Sequence, residues 1–290
     1  MFKGTGTALL TPFDDDLNID YQALKKLIKF QIDGNVDFLV VLGTTGEAST
    51  IDDDERKKII SFAVEEVNGK IPVVIGTGSN DTKKVVKLNK MAEELKVDGV
   101  LIVNPYYNKG TQNSIVEHYK YIAEKTSLPI ILYNVPSRTG MNVLPDTILR
   151  VHDACKNVVS VKEASGDISQ IAKLIAMKPD TLDVLSGNDD QTLAIMALGA
   201  KGVISVFSNV YPNEMAHITS SMLKGDLLTA RKLHNKYLNM MNILFIEASP
   251  SPVKAVAEMK GLCKNKLRLP IIPVTDGAFS ILKKEVERLG

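Results

Sequence analysis

The feature that most constrains this chain is a strand-and-helix unit that repeats along most of its length. Eight short apolar or β-branched segments recur, and the first and last begin 198 residues apart, a mean of about 28 residues over seven intervals. A unit of this length accommodates a strand, a helix and two loops, as parallel strands require, and is too long for hairpins. The predicted strands begin near Gly4, Phe38, Val73, Gly99, Ile130, Val158, Asp183 and Gly202.

The segments between the strands carry apolar residues at helical spacing. Such patterns follow Asp20, Asp81 and Asp167, each of which suits a helix N-cap, and Gly34 suits the C′ position after the first helix. Eight alternating units predict an α/β fold, a closed (β/α)8 TIM barrel. An open doubly wound sheet is the alternative, but it normally carries a glycine-rich dinucleotide loop, and no GxGxxG follows the first strand.

The strand signal stops after Ser208, and the rest of the chain has a helical pattern interrupted by prolines. We therefore expect residues 1–225 to form the catalytic barrel. Residues 226–290 are expected to form a C-terminal helical extension packed on the barrel, too continuous with it to make a clear second domain.

Composition excludes several classes of protein. Thirty-five basic and 34 acidic side chains leave a net charge of +1, so no long-range field attracts nucleic acid or an anionic membrane. The longest apolar runs are far shorter than the roughly 18 residues of a membrane span, and the first ten residues do not resemble a signal peptide, so a cytoplasmic protein is expected. Metal-ligand spacing is absent from the cysteines and histidines: Cys155, Cys263, His118, His152, His217 and His234.

Lys162, near the end of the sixth predicted strand, is the first candidate for chemistry. Strand alternation places Ser160 and Lys162 on one face and Val159 and Val161 on the other, and the two valines suit the helix layer. Lys162 would then point into the barrel near its active end. Desolvation there would lower its pKa and supply the neutral amine that attacks carbonyls. A structural salt bridge, with Glu163 next to it, is an equally good interpretation.

Two further strand ends carry reactive groups. Tyr133 would face inward, either as a proton relay or as a core tyrosine with one hydrogen bond. Arg138 follows in a loop, where it could hold a carboxylate through two parallel bonds or lie free on the surface. Thr44 and Thr45 lie in Gly-Thr-Thr-Gly-Glu after the second strand, a turn that is unspecific by itself.

Together these segments resemble the dihydrodipicolinate synthase / N-acetylneuraminate lyase family of class I aldolases. Agreement extends over nearly the whole barrel in the right order, and the SRTG and GTTGE segments resemble the synthase branch. The matching segments are GTGTALLTPF (4–13), GTTGE (43–47), NPYYNK (104–109), YNVPSRTG (133–140), VKEASGD (161–167), LSGND (185–189) and GVISVFSN (202–209).

The resemblance implies an aldol condensation of pyruvate with L-aspartate 4-semialdehyde to 4-hydroxy-tetrahydrodipicolinate, in diaminopimelate and lysine biosynthesis. Its electron sink would be an imine between the enzyme's lysine and pyruvate, so no cofactor or metal is expected. The implied roles are imine formation for Lys162, proton relay for Tyr133, Thr44 and Tyr107, pyruvate-carboxylate binding for Thr45, semialdehyde-carboxylate binding for Arg138, and pocket-lining backbone for Gly187 and Ile204.

The resemblance also implies an assembly, in which Tyr107 reaches into the site of a neighbouring subunit and two such dimers form a tetramer. Two alternatives stay open. A related aldolase or lyase could act on a sugar acid instead, although Arg138 suits a short substrate with a second carboxylate. A catalytically silent barrel could bind a 2-oxo acid and regulate a partner.

The sequence departs from the family pattern where lysine-inhibited members bind lysine at a dimer interface. Those members have histidines and an acidic residue at positions that here hold Asp53, Arg56 and Lys84, although Asn80 and Tyr106 remain. A cation at Lys84 would repel the ammonium group of the ligand. Weak or absent inhibition by lysine is therefore predicted. A second departure is Ser249, where asparagine is more usual, at the rim of the site.

Overall fold

A computed structural model describes residues 2–290 and contains eight parallel strands that close into a barrel. The strands are β1 Gly4–Ala8, β2 Phe38–Val41, β3 Val73–Gly76, β4 Gly99–Val103, β5 Ile130–Asn134, β6 Val158–Glu163, β7 Asp183–Ser186 and β8 Gly202–Ser205. The helices are α1 Tyr21–Asp33, α2 Asp53–Val67, α3 Thr82–Glu94, α4 Gln112–Ala123, α5 Pro136–Thr139, α6 Pro145–Ala154, α7 Ile168–Met177, α8 Thr192–Ala197, α9 Pro212–Leu223, α10 Leu227–Ile243, α11 Ser251–Met259 and α12 Asp276–Leu289.

Closure of the barrel decides between the two predicted architectures. β1 pairs with β2 on one side and with β8 on the other, and Gly4 lies opposite Gly202 in the closing pair. A Cβ at Gly202 would lie 1.9 Å from the Gly4 carbonyl oxygen, so the final strand approaches the first closely enough to require glycine. The prediction of a TIM barrel is confirmed, including the starts of all eight strands, and the open sheet is wrong.

Both faces of each strand are buried, which is why the strands appear in the sequence as continuous apolar runs. Their outer faces pack against the surrounding helices in one large cluster. Their inner faces form a second cluster, here called the interior cluster, in which the rings of Phe2 and Phe38 lie 5.5 Å apart. Its other members are Ala8, Val40, Val74, Leu101, Ile131, Tyr133, Val135, Ala164, Leu185 and Ile204.

The predicted helix starts are confirmed. The carboxylates of Asp20, Asp81 and Asp167 accept hydrogen bonds from backbone N–H groups in the first turns of α1, α3 and α7. The C′ assignment of Gly34 is wrong, because its φ is −83° and any residue could adopt it. Glycine is needed there for another reason, since a Cβ would lie 2.5 Å from the side chain of Pro212.

One predicted side-chain direction on β6 is also wrong. Val161 packs in the outer cluster as expected, but Val159 packs, partly buried, against the interior cluster. The cause is a register shift, in which the neighbouring residues Ile130 and Ile131 of β5 pair with Val158 and Ser160. Val159 is the extra residue of this bulge, and alternation holds again from Ser160 onward.

Three helices follow the eighth unit. α10 packs against α9, α11 and α12 pack together, and α12 also contacts α10. The segment between α11 and α12 returns to the start of α2, where Arg268 binds the carboxylate of Glu55. The division into residues 1–225 and 226–290 stays a prediction. Within residues 2–290, no helix combines the length and the apolar character that crossing a membrane requires.

Candidate active site

A cavity of about 450 Å³ opens at the carboxyl ends of the strands, where the loops of a (β/α)8 barrel gather. The ends of β2 to β5 form part of its wall, together with the turn after β2 and the short helix α5. Residues of α2, α3 and the loops after β3 and β4 also line it, and the extension contributes Ser249, Arg268, Pro270 and Ile271. The extension is therefore part of the site, and Ser249, predicted at its rim, is a buried residue of the cavity wall.

The charges on the cavity wall are mostly positive. Among the lining side chains of residues 2–290, the cations are Arg56, Lys84, Arg138 and Arg268, of which Arg268 is paired with Glu55, and the carboxylate is Glu47. Glu47 is fully buried and forms an ion pair with Lys254, which leaves little negative charge facing the cavity. A concave surface of this kind attracts anionic small molecules.

Lys162 lies on the interior face of the barrel, as predicted. Its register partners are Tyr133 on β5 and Leu185 on β7, and only 5% of its surface is exposed. The Nζ atom lies 4.5 Å from the centre of the Tyr133 ring. Burial lowers the pKa of Lys162 to about 8, with the carboxylate of Asp189 acting in the opposite direction and the charge of Arg138 lowering it further. A substantial neutral fraction of this amine therefore exists near neutral pH.

Glu163 is not the partner of Lys162. Its carboxylate accepts hydrogen bonds from the Asn134 side-chain amide at 3.1 Å and from the backbone N–H of Ser165 at 2.7 Å. Burial raises the pKa of Glu163, and these hydrogen bonds oppose the rise. The structure thus does not support the interpretation of Lys162 as a salt bridge with its neighbour.

Tyr133, Thr44 and Arg138 all line the cavity. Burial raises the pKa of the Tyr133 phenol, while the charge of Arg138 and a hydrogen bond with Thr44 lower it. The phenol is thus protonated at neutral pH and linked to a hydroxyl that faces the cavity. Lys162 does not itself line the cavity, but its amine packs against the ring of Tyr133, which does.

The structure does not bring Tyr107 to this cluster. It lies in the loop between β4 and α4, with 90% of its surface exposed and a φ of 66°, which is unusual for a bulky side chain. Tyr106, its neighbour, lines the cavity instead.

The other three predicted site residues lie deeper. Thr45 is buried in the single 3-10 turn that Thr44–Gly46 forms after β2. Ile204 belongs to the interior cluster, as Lys162's neighbour Tyr133 does. Gly187 follows β7, where its N–H donates to the Glu163 carbonyl at 2.7 Å. None of the three lines the cavity, so their predicted contacts with substrate stay predictions.

Sequence reasoning missed Asp189. It begins the short turn after β7 and is 3% exposed, and its Oδ2 accepts hydrogen bonds from the backbone N–H groups of Val206 and Phe207 at 3.0 and 2.8 Å. Burial raises its pKa, while hydrogen bonds and the charge of Lys162 lower it. The signal was present in the LSGND segment, since an aspartate directly after a barrel strand is placed for function.

Within the described chain, no group of three His, Cys, Asp or Glu side chains is arranged to hold a metal ion.

Comparison with known proteins decides the family. The profile of the Dihydrodipicolinate synthetase family matches residues 1–289. The chain belongs to this family. A 4-hydroxy-tetrahydrodipicolinate synthase from Thermotoga neapolitana is 47% identical over 293 residues, covering 100% of this chain and 99% of the relative. The predictions of a lyase of the dihydrodipicolinate synthetase family, and of a place in lysine and diaminopimelate biosynthesis, are confirmed.

Solved structures of the family have the same fold. The crystal structure of the dihydrodipicolinate synthase from Thermotoga maritima has a TM-score of 0.98 and 44% identity, covering 100% of this chain and 99% of that one. A chloride-inhibited enzyme from Acinetobacter baumannii, solved as a complex with pyruvate, has a TM-score of 0.97 and 38% identity, with coverage of 100% and 99%.

Proposed function

We propose that this enzyme condenses pyruvate with L-aspartate 4-semialdehyde to give 4-hydroxy-tetrahydrodipicolinate, through an imine on Lys162. The observation that carries the proposal is a buried lysine with a lowered pKa, packed 4.5 Å from the ring of a tyrosine that lines a cationic cavity. The pyruvate complex of the Acinetobacter baumannii relative supports pyruvate as the first substrate.

The first step is formation of the imine. The neutral amine of Lys162 attacks the carbonyl carbon of pyruvate, and the resulting carbinolamine loses water to give a protonated imine. The oxygen must gain a proton before it leaves, and we assign this role to the Tyr133 phenol, which is linked to Thr44 and whose ring centre lies 4.5 Å from the amine.

The second step forms the new carbon–carbon bond. The protonated imine withdraws electrons, so the methyl group of pyruvate loses a proton and becomes an enamine carbon. This carbon attacks the aldehyde carbon of the second substrate, whose oxygen takes up a proton. The substrate's own amine then attacks the imine carbon and displaces Lys162, which closes the ring and restores the free enzyme. The iminium supplies the electron sink, so the proposal needs no cofactor.

The cationic wall explains the choice of substrates. Both carry a carboxylate, and we assign that of the semialdehyde to Arg138, which supports this role by being exposed and lining the cavity. Thr45 would hold the carboxylate of pyruvate, with the backbone at Gly187 and Ile204 lining its pocket. An activity comparison between aspartate semialdehyde and N-acetylneuraminate separates this proposal from a sugar-acid lyase.

Borohydride reduction in the presence of pyruvate tests the proposal directly. Reduction should fix pyruvate on Lys162 and inactivate the enzyme, as read by peptide mass. Lys254 is an internal control in the same digest. Burial also lowers its pKa, but its amine forms an ion pair with Glu47, so it should stay unmodified. An unmodified Lys162 would refute the mechanism and favour a catalytically silent barrel.

We further propose that Tyr107 completes the proton relay of a neighbouring subunit, within a cytoplasmic homotetramer built from two dimers. Its exposure in the single chain supports this arrangement. The test mixes inactive Tyr107→Phe and Lys162→Ala subunits under conditions of subunit exchange. A hybrid dimer then holds one site with both residues intact, so activity should return; without a shared site it would not.

Insensitivity to lysine is part of the same proposal. Arg56 and Lys84 both line the cavity, while Asp53 lies in an ion pair with Lys87 at 2.6 Å. The ammonium group of lysine would therefore meet cations. Initial rates should fall only weakly or not at all in millimolar L-lysine, and strong partial inhibition would contradict this.

A further inference from the structure

A fully buried ion pair joins the extension to the turn that carries Thr44 and Thr45. The Nζ of Lys254, in α11, lies 2.5 Å from Oε1 of Glu47, and the two side chains are 0% and 1% exposed. The residues are 207 positions apart in the chain. The pair therefore connects the last part of the chain with the residue that directly follows the catalytic turn.

Each partner is held by further contacts. Lys254 Nζ also donates to the Lys266 carbonyl at 2.7 Å and lies 4.1 Å from the centre of the Phe13 ring. The other carboxylate oxygen of Glu47 accepts from the backbone N–H of Arg268 at 3.1 Å. Neither charge is left with a single partner, which is the condition under which a buried pair is tolerated.

The backbone of Glu47 is itself constrained. Its φ of 52° and ψ of 36° are left-handed, a conformation that a non-glycine residue keeps only when its surroundings enforce it. Its N–H donates to the Thr44 carbonyl at 3.1 Å and closes the turn. On the other side, the Thr11 hydroxyl donates to the Gly46 carbonyl at 2.7 Å. The turn is thus fixed at its end by the ion pair and from beneath by the loop after β1.

Stability alone does not account for such a pair. Desolvation of two charges largely cancels their attraction, so apolar residues of similar volume would hold the extension in place about as well. A buried pair does specify one geometry, because any displacement leaves a charge without its partner.

We infer that Glu47 and Lys254 are positioning residues, which fix Thr44 and Thr45 for catalysis and make the geometry of the site depend on the C-terminal extension. The inference rests on the proposed function, in which Thr44 relays protons and Thr45 binds pyruvate. Neither Glu47 nor Lys254 is assigned contact with substrate.

The decisive variant is Glu47→Leu/Lys254→Met, which removes both charges and leaves neither unpaired. A shift of the turn should lower kcat roughly tenfold to hundredfold, since small misplacements of catalytic groups have effects of this size. The thermal midpoint should stay near that of the wild type. Lys264→Met removes an exposed ion pair between the extension and Asp15, and as a matched control it should change kcat by less than about twofold.

A double-mutant cycle tests whether the Glu47–Lys254 ion pair acts through Thr44. Thr44→Val should lower kcat strongly in the wild type but add little in the double variant, because the hydroxyl is already misplaced there. The inference would be overturned if Thr44→Val lowered kcat by the same factor in the double variant as in the wild type. It would also be overturned if the double variant kept the wild-type kcat. Glu47→Gln, which keeps the shape of the side chain, serves the same cycle if the double variant does not fold. Borohydride trapping on Lys162 in the wild type is measured alongside, so that failure of the proposed function is recognised separately.

Discussion

The pKa of Lys162 gives the sharpest prediction. An ordinary lysine, with a pKa of about 10.4, has roughly one amine in a few thousand neutral at pH 7. With a pKa of about 8, about a tenth of the Lys162 amine is neutral at that pH. Burial therefore raises the concentration of the nucleophile by roughly 200- to 300-fold.

The assay is single-turnover imine formation with pyruvate, quenched with borohydride, as a function of pH. The neutral fraction rises about fiftyfold between pH 6 and pH 8 for a pKa of about 8 and then levels off. The rate should follow it. A rate that keeps rising about tenfold per unit through pH 9 would mean an ordinary lysine and would refute the reasoning.

Two variants should move the inflection in opposite directions. Asp189 raises the pKa of Lys162 and Arg138 lowers it. Asp189→Asn keeps an oxygen for the N–H groups of Val206 and Phe207, so it should shift the inflection to lower pH without disturbing the turn. Arg138→Met should shift it to higher pH. Shifts in the same direction would show that the variants act by general disturbance of the site.

Three further substitutions test other parts of the site. Because its pKa falls on folding, Lys162 costs the folded state about 3 kcal/mol below pH 8, a cost that disappears as pH rises past 10. Lys162→Met should therefore raise the thermal midpoint at pH 7 and less so at pH 10, and an unchanged midpoint would count against burial as the cause. Tyr133→Phe should lower kcat by about 10²-fold or more, and pyruvate should still be trapped on Lys162 but more slowly, because the phenol also serves imine formation; steady-state and time-resolved trapping assays measure the two effects. Gly187→Ala places a methyl group 2.5 Å from the Ala164 side chain, so we expect a loss of about 1–3 kcal/mol in unfolding experiments and a higher KM for pyruvate. Gly277→Ala, in α12 with open space around it, is the control that should show neither effect.

The parts of the fold that depend on local pattern could be predicted from the sequence. Strand starts follow from short apolar runs and helix starts from Asp20, Asp81 and Asp167, and both signals lie within a few residues of the feature that they predict. The bulge at Val159 could not be predicted, because it depends on how β6 aligns with β5. A single extra residue changes which side chain faces inward, and no signal in β6 alone reports the register.

The site divides in the same way. Alternation within β5 and β6 predicts that Tyr133 and Lys162 point into the barrel. The structure then shows that they lie in register on these neighbouring strands. The pairing of Glu47 with Lys254 joins positions 207 residues apart, and each looks like an ordinary surface charge in its own segment. Asp189 lies in the LSGND segment, which offered a signal, but its electrostatic effect on Lys162 depends on the pairing of β6 with β7, which the local sequence does not report.

In the proposed mechanism, the site must first favour the neutral amine of Lys162 and then the cationic iminium that is formed from it. Burial and Arg138 first favour the neutral amine of Lys162, yet the product of the condensation is a cation that burial disfavours. Two features of the protein offset this, the carboxylate of Asp189 and the face of the Tyr133 ring. The substrates offset the remainder, because the carboxylate of pyruvate is attached to the iminium carbon and that of the semialdehyde neutralises Arg138 when it binds. Each substrate therefore brings the negative charge that the next step requires, and the empty site can hold the amine neutral without losing its ability to stabilise the iminium.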